Sequence, residues 1–334
     1  MSKNIGYLGT GVWGYSLAML LASKGNHVLV WGIDEEIVHF LKGKREHPKL
    51  PGFTAPDNLQ FTTNLEEVLQ GKDLIVEGVT SSGLREVFNH IKETYVPECP
   101  IVLTSKGIEQ DTGLLLSDVV AEVLGEEHRK QIGCLSGPSI AQEVLKGLPS
   151  SVVCSGYTPE VIALIHETFS TPTFRVYPNP DINGVELGGA LKNIIAIACG
   201  VSDGMGFGDN AKAALMTRGL HEIRKLAAVK GCKPETLNGL AGMGDLCVTC
   251  LSNLSRNYRF GRLIAEGKKP DQAKKEIGMV VEGAYTCRSA MQIAEKHEIE
   301  VPITEAVHKL IYEGYSPEEG LNFLLQRATK EEYL

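Results

Sequence analysis

Six residues near the N-terminus restrict this chain more than any other stretch. Gly9-Thr10-Gly11-Val12-Trp13-Gly14 is a G-x-G-x-x-G run. It follows the apolar segment 5–8 and opens a helical pattern marked by Leu17, Leu20 and Leu21, which stops at Lys24-Gly25-Asn26. Alone the run is a weak signal, but between a strand and a helix it fits the turn that receives a dinucleotide. Gly9 would supply the tight turn, Gly11 the close approach of backbone to a pyrophosphate, and Gly14 the close packing of helix on strand. The phosphates would then meet the amides and positive end of the helix. A tight turn in an unrelated α/β protein is the competing reading. A P-loop is excluded, because no Gly-Lys-Ser/Thr follows. Residues 27–31 read as the second strand, so Ile33 and Asp34 stand at its carboxyl end, with Asp34 20 residues past Gly14. An acidic side chain there can accept hydrogen bonds from an adenosine ribose. Asp34 can also cap the helix that starts at Glu35, and the two roles are compatible.

The first half of the chain continues this alternation. Strand patterns fall at 73–79, 100–104, 132–135, 151–154 and 174–177, with helical patterns at 66–69, 84–92, 114–124 and 161–169 between them. Near-continuous apolar strands alternating with helices predict a Rossmann-type, doubly wound, mostly parallel sheet. After Tyr177-Pro178-Asn179-Pro180 the strand signal nearly vanishes. Helical patterns take over at 185–201, 211–229, 258–266, 273–277, 284–297, 304–312 and 317–325. The expected division is a dinucleotide-binding domain over 1–184 and an all-α substrate-binding and catalytic domain over 185–334.

Composition narrows the partners. The 33 Lys and Arg against 41 Asp and Glu give a net charge of −8, which argues against a general nucleic-acid or anionic-membrane binder. No stretch reaches the roughly 18–20 continuous apolar residues of a membrane span. The glycines at Gly6, Gly9, Gly11 and Gly14 break the first apolar segment, unlike a secretory leader. A cytoplasmic protein with reduced thiols is the expectation for its 8 cysteines. Cys247-Val248-Thr249-Cys250 is a lone CxxC without a matching second pair, so no metal site is expected.

Two lysines stand out as candidates for chemistry. Lys106 follows a strand directly, in Ser105-Lys106-Gly107, where ligands bind in such sheets; an ordinary loop lysine is the alternative. Lys192 lies in the apolar, small-residue run from Glu186 to Cys199. Isolated burial of an ammonium is costly, so this lysine either pairs with Glu186 or faces a cleft as an acid/base with depressed pKa. The glycine-rich turn 239–244 delivers one carboxylate, Asp245, among apolar neighbours. Ser255-Arg256-Asn257 opens a helical stretch, with Arg259 and Arg262 nearby, and can bind a phosphate through guanidinium, side-chain donors and free amides. Ser255 as a plain helix cap, with Arg256 facing solvent, is the alternative.

These segments together resemble a family, the bacterial-type NAD(P)-dependent glycerol-3-phosphate dehydrogenases. The resemblance runs in order through Gly9–Gly14, Ser105–Gly107, Ser136–Ala141, Gly184–Asn193, Gly206–Asn210, Gly242–Leu246, Ser255–Asn257 and Val280–Gly283. It implies reversible reduction of dihydroxyacetone phosphate to sn-glycerol 3-phosphate, feeding phospholipid synthesis, in a usually dimeric enzyme. It implies Lys192 as the proton acceptor in glycerol phosphate oxidation. Lys106, Gly137, Ser139, Asp245, Ser255, Arg256 and Asn257 are implied to hold substrate alongside Lys192. Val12, Trp13, Ile33, Lys106, Ala141, Arg256, Val280 and Glu282 are implied to line the site of NAD(H), or of NADP(H). The family often carries Arg or His where this chain has Ile33, which turns the expectation toward NAD(H). Two further readings compete. A hydroxyacid or ketopantoate reductase would share the fold and a lysine without needing a phosphate clamp. A non-catalytic NAD-binding sensor would have no use for Lys192 and Asp245.

Overall fold

Strand β1 (Asn4–Leu8) is buried on both faces after its first residue, and the strands beside it are equally apolar. Such strands are stable only in the middle of a sheet covered by helices on each side. In the computed structural model, which describes residues 2–329, 331 and 332, β1 lies between β2 (His27–Trp31) and β4 (Leu74–Glu77). The others are β3 (Leu59–Thr62), β5 (Ile101–Leu103), β6 (Ile132–Ser136), β7 (Ser150–Gly156) and β8 (Phe174–Pro178). The order is β3-β2-β1-β4-β5-β6-β7-β8, and every pairing is parallel except β6 with β7. The predicted mostly parallel sheet is therefore found, with one antiparallel joint. Of the edge strands, β8 exposes Arg175, Tyr177 and Pro178, whereas β3 exposes only Gln60.

Helices α1 (Val12–Ser23), α2 (Glu35–Lys44), α3 (Leu65–Leu69), α4 (Leu84–Thr94), α5 (Leu116–Leu124), α6 (Ala141–Leu145) and α7 (Pro159–Phe169) cover the sheet. The chain then runs only through helices: α8 (Ile182–Gly204), α9 (Gly208–Ala228), α10 (Pro234–Asn238), α11 (Asp245–Leu251), α12 (Arg256–Ala265), α13 (Pro270–Ile277), α14 (Glu282–Lys296), α15 (Pro302–Tyr312) and α16 (Pro317–Leu325). The helix expected from 185 begins at Ile182, because Asp181 accepts the Gly184 amide at 2.9 Å and caps it earlier.

Helix α8 organises the second half. It is buried from Ile182 to Ser202 except at Asn183, and α9, α11, α12 and α14 pack around it. It is long and apolar enough to cross a membrane, but that apolar stretch lies wholly inside the protein. Its carboxylate Glu186 caps a neighbour. It accepts the Ser117 amide at 3.0 Å and the Ser117 hydroxyl at 2.5 Å at the start of α5, whose own N-cap residue, Leu115, offers no side-chain bond. Glu222 of α9 does the same for α15, accepting the amides of Ile303 and Thr304 at 2.7 and 3.0 Å. Carboxylates lent between elements thus satisfy helix amides that would otherwise be orphaned.

Candidate active site

The dinucleotide turn has the geometry its glycines imply. Gly9 has φ of 110°, and a Cβ there would lie 2.7 Å from the Gly78 carbonyl oxygen. A Cβ on Gly14 would lie 2.8 Å from the Gly9 carbonyl oxygen, so helix and strand meet at van der Waals limits. A Cβ on Gly11 would touch no protein atom. The fold therefore does not need glycine there, whereas a pyrophosphate approaching the backbone does. No side chain caps α1, so its first amides stay open for such an anion. These features fit a nicotinamide dinucleotide, with Val12 and Trp13, both half-buried, in the first turn of α1. The turn lies between β1 and β4, where the strand order reverses, the usual place for a nucleotide in an open α/β sheet.

Asp34 realises its capping role. Its Oδ1 accepts the amides of Glu36 and Ile37 at 3.0 and 3.1 Å. It is still exposed, so its other oxygen is accessible. Ile33 beside it is 75 % exposed, a large apolar side chain facing solvent at the end of β2.

The two lysines meet on one carboxylate. Asp245, at the start of α11, is almost wholly buried; its Oδ2 lies 2.6 Å from Lys106 Nζ and its Oδ1 lies 2.5 Å from Lys192 Nζ. Lys192 does not pair with Glu186, which is occupied at Ser117. Lys192 Nζ also donates to Thr249 Oγ1 at 2.6 Å, and that hydroxyl donates to the Asp245 carbonyl oxygen at 2.6 Å. Lys106 Nζ donates to the Gly137 carbonyl oxygen at 3.2 Å, which also accepts from Ser139 Oγ at 2.8 Å. Burial pulls the Lys192 ammonium down to about 8, against the attraction of Asp245; Lys106 pushes the same way as burial. Two ammoniums on one carboxylate leave a positive floor, suited to an oxygen that gains negative charge.

A second cluster adjoins the first through the neighbour of Lys192 on α8. Asn257 Nδ2 donates to Asn193 Oδ1 at 2.9 Å, and Asn257 Oδ1 accepts the Gly283 amide at 2.9 Å. The amide of Asn257, expected on substrate, is thus mostly engaged in joining α8, α12 and α14. Ser255 caps α12, accepting the Tyr258 amide at 3.2 Å. Arg256 is exposed but ringed by protein; Nη1 donates to the Val280 carbonyl oxygen at 3.1 Å. Partial desolvation lowers its pKa, opposed by the nearby Glu282 carboxylate. Glu282 accepts the Ser81 hydroxyl and, at 3.4 Å, the Ser81 amide, tying α14 to the loop after β4. Ala141 opens α6, a short helix without a side-chain cap.

Sequence reasoning missed three groups here. Thr249 lies inside the CxxC, and its place four residues after Asp245 puts both on one helix face. Asn193 needed knowledge of Asn257. Ser136 Oγ is buried with no hydrogen-bond partner among the described residues, and a Cβ on Gly189, 2.5 Å from it, would also crowd the Lys106 stem. The CxxC cysteines are free thiols on α11, and no cluster of potential metal ligands occurs among the described residues.

Comparison with known proteins decides the family. Residues 4–161 match the family description "NAD-dependent glycerol-3-phosphate dehydrogenase N-terminus", and residues 181–322 match its C-terminus. The chain belongs to the NAD-dependent glycerol-3-phosphate dehydrogenase family. It is 60 % identical over 332 residues to the glycerol-3-phosphate dehydrogenase [NAD(P)+] of Protochlamydia amoebophila, covering 99 % of this chain and 100 % of that one. Identity to the Chlamydia muridarum protein of the same name is 57 % over the full length of both. The Coxiella burnetii glycerol-3-phosphate dehydrogenase structure superposes with a TM-score of 0.93 at 38 % identity, covering 98 % of this chain and 99 % of that one. A ketopantoate reductase from Ralstonia eutropha shares the fold alone, at 14 % identity and a TM-score of 0.61 over 93 % of this chain and 97 % of that one. In this chain Lys106, Lys192 and Asp245 form one buried charged cluster that joins the loop after β5 to α8 and α11.

Proposed function

We propose that this dehydrogenase reduces dihydroxyacetone phosphate to sn-glycerol 3-phosphate, reversibly, with NAD(H) preferred over NADP(H). The observation that carries the reading is the sharing of Asp245 between Lys106 and Lys192. We take residues 1–184 as the cofactor-binding domain and 185–334 as the substrate-binding one. Gly9–Gly14 would hold the pyrophosphate of the dinucleotide, whose nicotinamide would supply the hydride that reduces C2, or take it back in oxidation.

The chain's own residues do the rest. Lys192 Nζ gives its proton to the C2 oxygen during reduction and receives it during oxidation. Lys106 Nζ stabilises the same developing charge. Asp245 and Thr249 hold Lys192 in place, and Asp245 holds Lys106. The guanidinium of Arg256, with Ser255 and the free N–H of Asn257, receives the phosphate and so fixes C2. Ser139 and Gly137 frame the same pocket beside Lys106. Val280, Glu282 and Ala141 border the cofactor.

For the cofactor, Ile33 offers no positive partner to a 2′-phosphate, and Asp34, Glu35 and Glu36 surround it with negative charge. At about 5 Å and an effective dielectric of about 20, each like-charge pair costs roughly 3 kcal/mol, which solvent screening reduces to about 10- to 100-fold in specificity. A homodimer in a reducing cytoplasm, supplying glycerophospholipid synthesis, is consistent with the family resemblance and with eight free thiols.

The test is oxidation of NADH, and separately NADPH, with dihydroxyacetone phosphate, dihydroxyacetone and ketopantoate, in wild type and Ile33→Arg. Turnover of only the phosphate ester, faster with NADH, and improved NADPH use by the arginine variant are expected. Turnover of ketopantoate instead refutes the substrate assignment, and a wild-type preference for NADPH refutes the cofactor one.

A further inference from the structure

The end of β4 carries a carboxyl group with no place in the mechanism above. Glu77 is fully buried, between the loop of Gly9 on β1 and the loop of Lys106 after β5. Its Oε1 accepts the Val79 amide at 2.7 Å and lies 2.7 Å from Ser105 Oγ. Its Oε2 receives the Ser105 amide at 3.4 Å. Ser105 Oγ also makes a short contact to the Val79 carbonyl oxygen. A hydroxyl has one hydrogen, and a carbonyl has none. If Ser105 donates to Val79, the contact to Glu77 is a hydrogen bond only when the carboxyl carries the second proton. If Glu77 is ionised, Ser105 turns to it, and the Val79 oxygen faces an oxygen with no hydrogen between them.

We propose that Glu77 is a protonated positioning residue, whose carboxyl donates to Ser105 Oγ and so fixes the loop that presents Lys106 to the reacting oxygen. This rests on Lys106 lining the substrate site as argued above. The surroundings favour the neutral acid. Burial pushes the Glu77 carboxyl up to about 7, with the bonds from Ser105 and the Val79 amide opposing. The titratable groups that face it are Tyr7 from β1, itself driven upward by burial, and Glu186 from α8, held up to about 7. Neither supplies a positive charge, and the groups that oppose burial at Glu77 are hydrogen-bond donors only. Lys106, one residue beyond Ser105, directs its ammonium away to Asp245 and Gly137.

Ionisation of Glu77 turns the Ser105 hydroxyl onto the carboxylate, so the loop before Lys106 loses its bond to the Val79 carbonyl oxygen. One net hydrogen bond corresponds to about 2- to 10-fold in rate if it serves the transition state. Wild-type kcat for dihydroxyacetone phosphate should fall by that factor as Glu77 ionises, over about two pH units centred near 7, in addition to the loss that deprotonation of Lys192 brings at higher pH.

The test compares Glu77→Gln, Glu77→Ala and Ser105→Ala with wild type in kcat and KM from pH 6 to 8.5, with Tm and NADH affinity measured on each. A glutamine amide can donate to Ser105 at every pH, at the cost of the acceptor that Oε1 offers the Val79 amide, so its rescue is read against the Tm of the same variant. Glu77→Gln is expected to restore most of the kcat that Glu77→Ala loses and to abolish the shallow step near pH 7 while keeping the steep limb. Ser105→Ala is expected to lower kcat with NADH affinity unchanged and to lack the shallow step. A shallow step that persists in folded Glu77→Gln overturns the proposal. So does wild-type kcat in Ser105→Ala. Inactive wild type at every pH would instead refute the substrate assignment, so the two failures are distinguishable.

Discussion

Lys192 carries the largest single-residue consequence. Its ammonium must be present for reduction and absent for oxidation, and burial sets its pKa near 8. Reduction should therefore fall as pH rises through about 8, and oxidation should rise over the same interval. Lys192→Ala should lower kcat by about 10²- to 10⁴-fold, the range for a general acid/base, with NADH affinity nearly unchanged in a binding titration. Arg256 gives a second expectation. Arg256→Lys keeps the charge but loses the planar fork, so KM for dihydroxyacetone phosphate should rise appreciably, and more so in Arg256→Ala. An unaltered KM in the alanine variant would move the phosphate to Arg259 or Arg262. At this scale the sequence discloses residue types and not partners. A lysine in an apolar run announces that something must compensate it, whereas Asp245 is 53 residues away and Lys106 is 139 residues from that same Asp245. Asn257 shows the converse. Its position after Ser255-Arg256 suggested phosphate, and its amide also serves Asn193 and Gly283.

Among the elements, α8 and α12 approach so closely that Cβ atoms are excluded between them. A Cβ on Gly261 would lie 2.1 Å from the Ile197 carbonyl oxygen, a contact that only backbone movement relieves. Gly261→Ala should destabilise by about 1–3 kcal/mol, the cost of overpacking a tight interface, and reduce kcat through displaced Asn193 and Lys192. Thermal unfolding and turnover on the same preparation check this; unchanged Tm would mean the helices separate freely. Most helices and strands were legible because periodicity and glycine stops act within a few residues, whereas α6, α10 and α11, at five to seven residues, were too short to show a period. β3 was not, since Leu59-Gln60-Phe61-Thr62 is a four-residue edge strand too short to establish alternation. The turn 240–244 was legible as glycine-rich, but its π-type winding, which aims Asp245 inward, depends on packing against α8 and α10.

At the scale of the whole molecule, buried carboxyls make stability depend on pH. Glu77 and Glu186 are each raised from 4.5 to about 7, and Glu222 is raised as well, in every case chiefly by burial. The folded state then holds these protons more tightly than the unfolded chain does. Their contribution is full below about pH 4.5, declines as pH rises, and is gone above about 7. Lys192 acts in the other direction: its folded value lies below its unfolded one, so its burden eases only between about pH 8 and 10.5. Tm should therefore drop from pH 5.5 to 7.5, and the drop should shrink in Glu186→Gln. A flat Tm profile would show that these groups are hydrated in solution. The two-part organisation was visible from residue 1 to the last helix because the strand signal stops where the sheet stops; that the halves share Asp245 was not, since it depends on chain segments folding against each other.

Helix α8 holds its lysine where water has little access, and that makes the enzyme's acidity a gauge of its own interior. Any change that lets solvent reach the middle of α8 relaxes the burial that holds Lys192 near 8 and lets it drift back toward 10.5. Ile195→Asn, which would bring a polar group able to hold water into that core, should register as an alkaline drift of the pH–rate curve. The titration curve of turnover could then serve as a hydration meter for the core, read from outside by an ordinary absorbance trace.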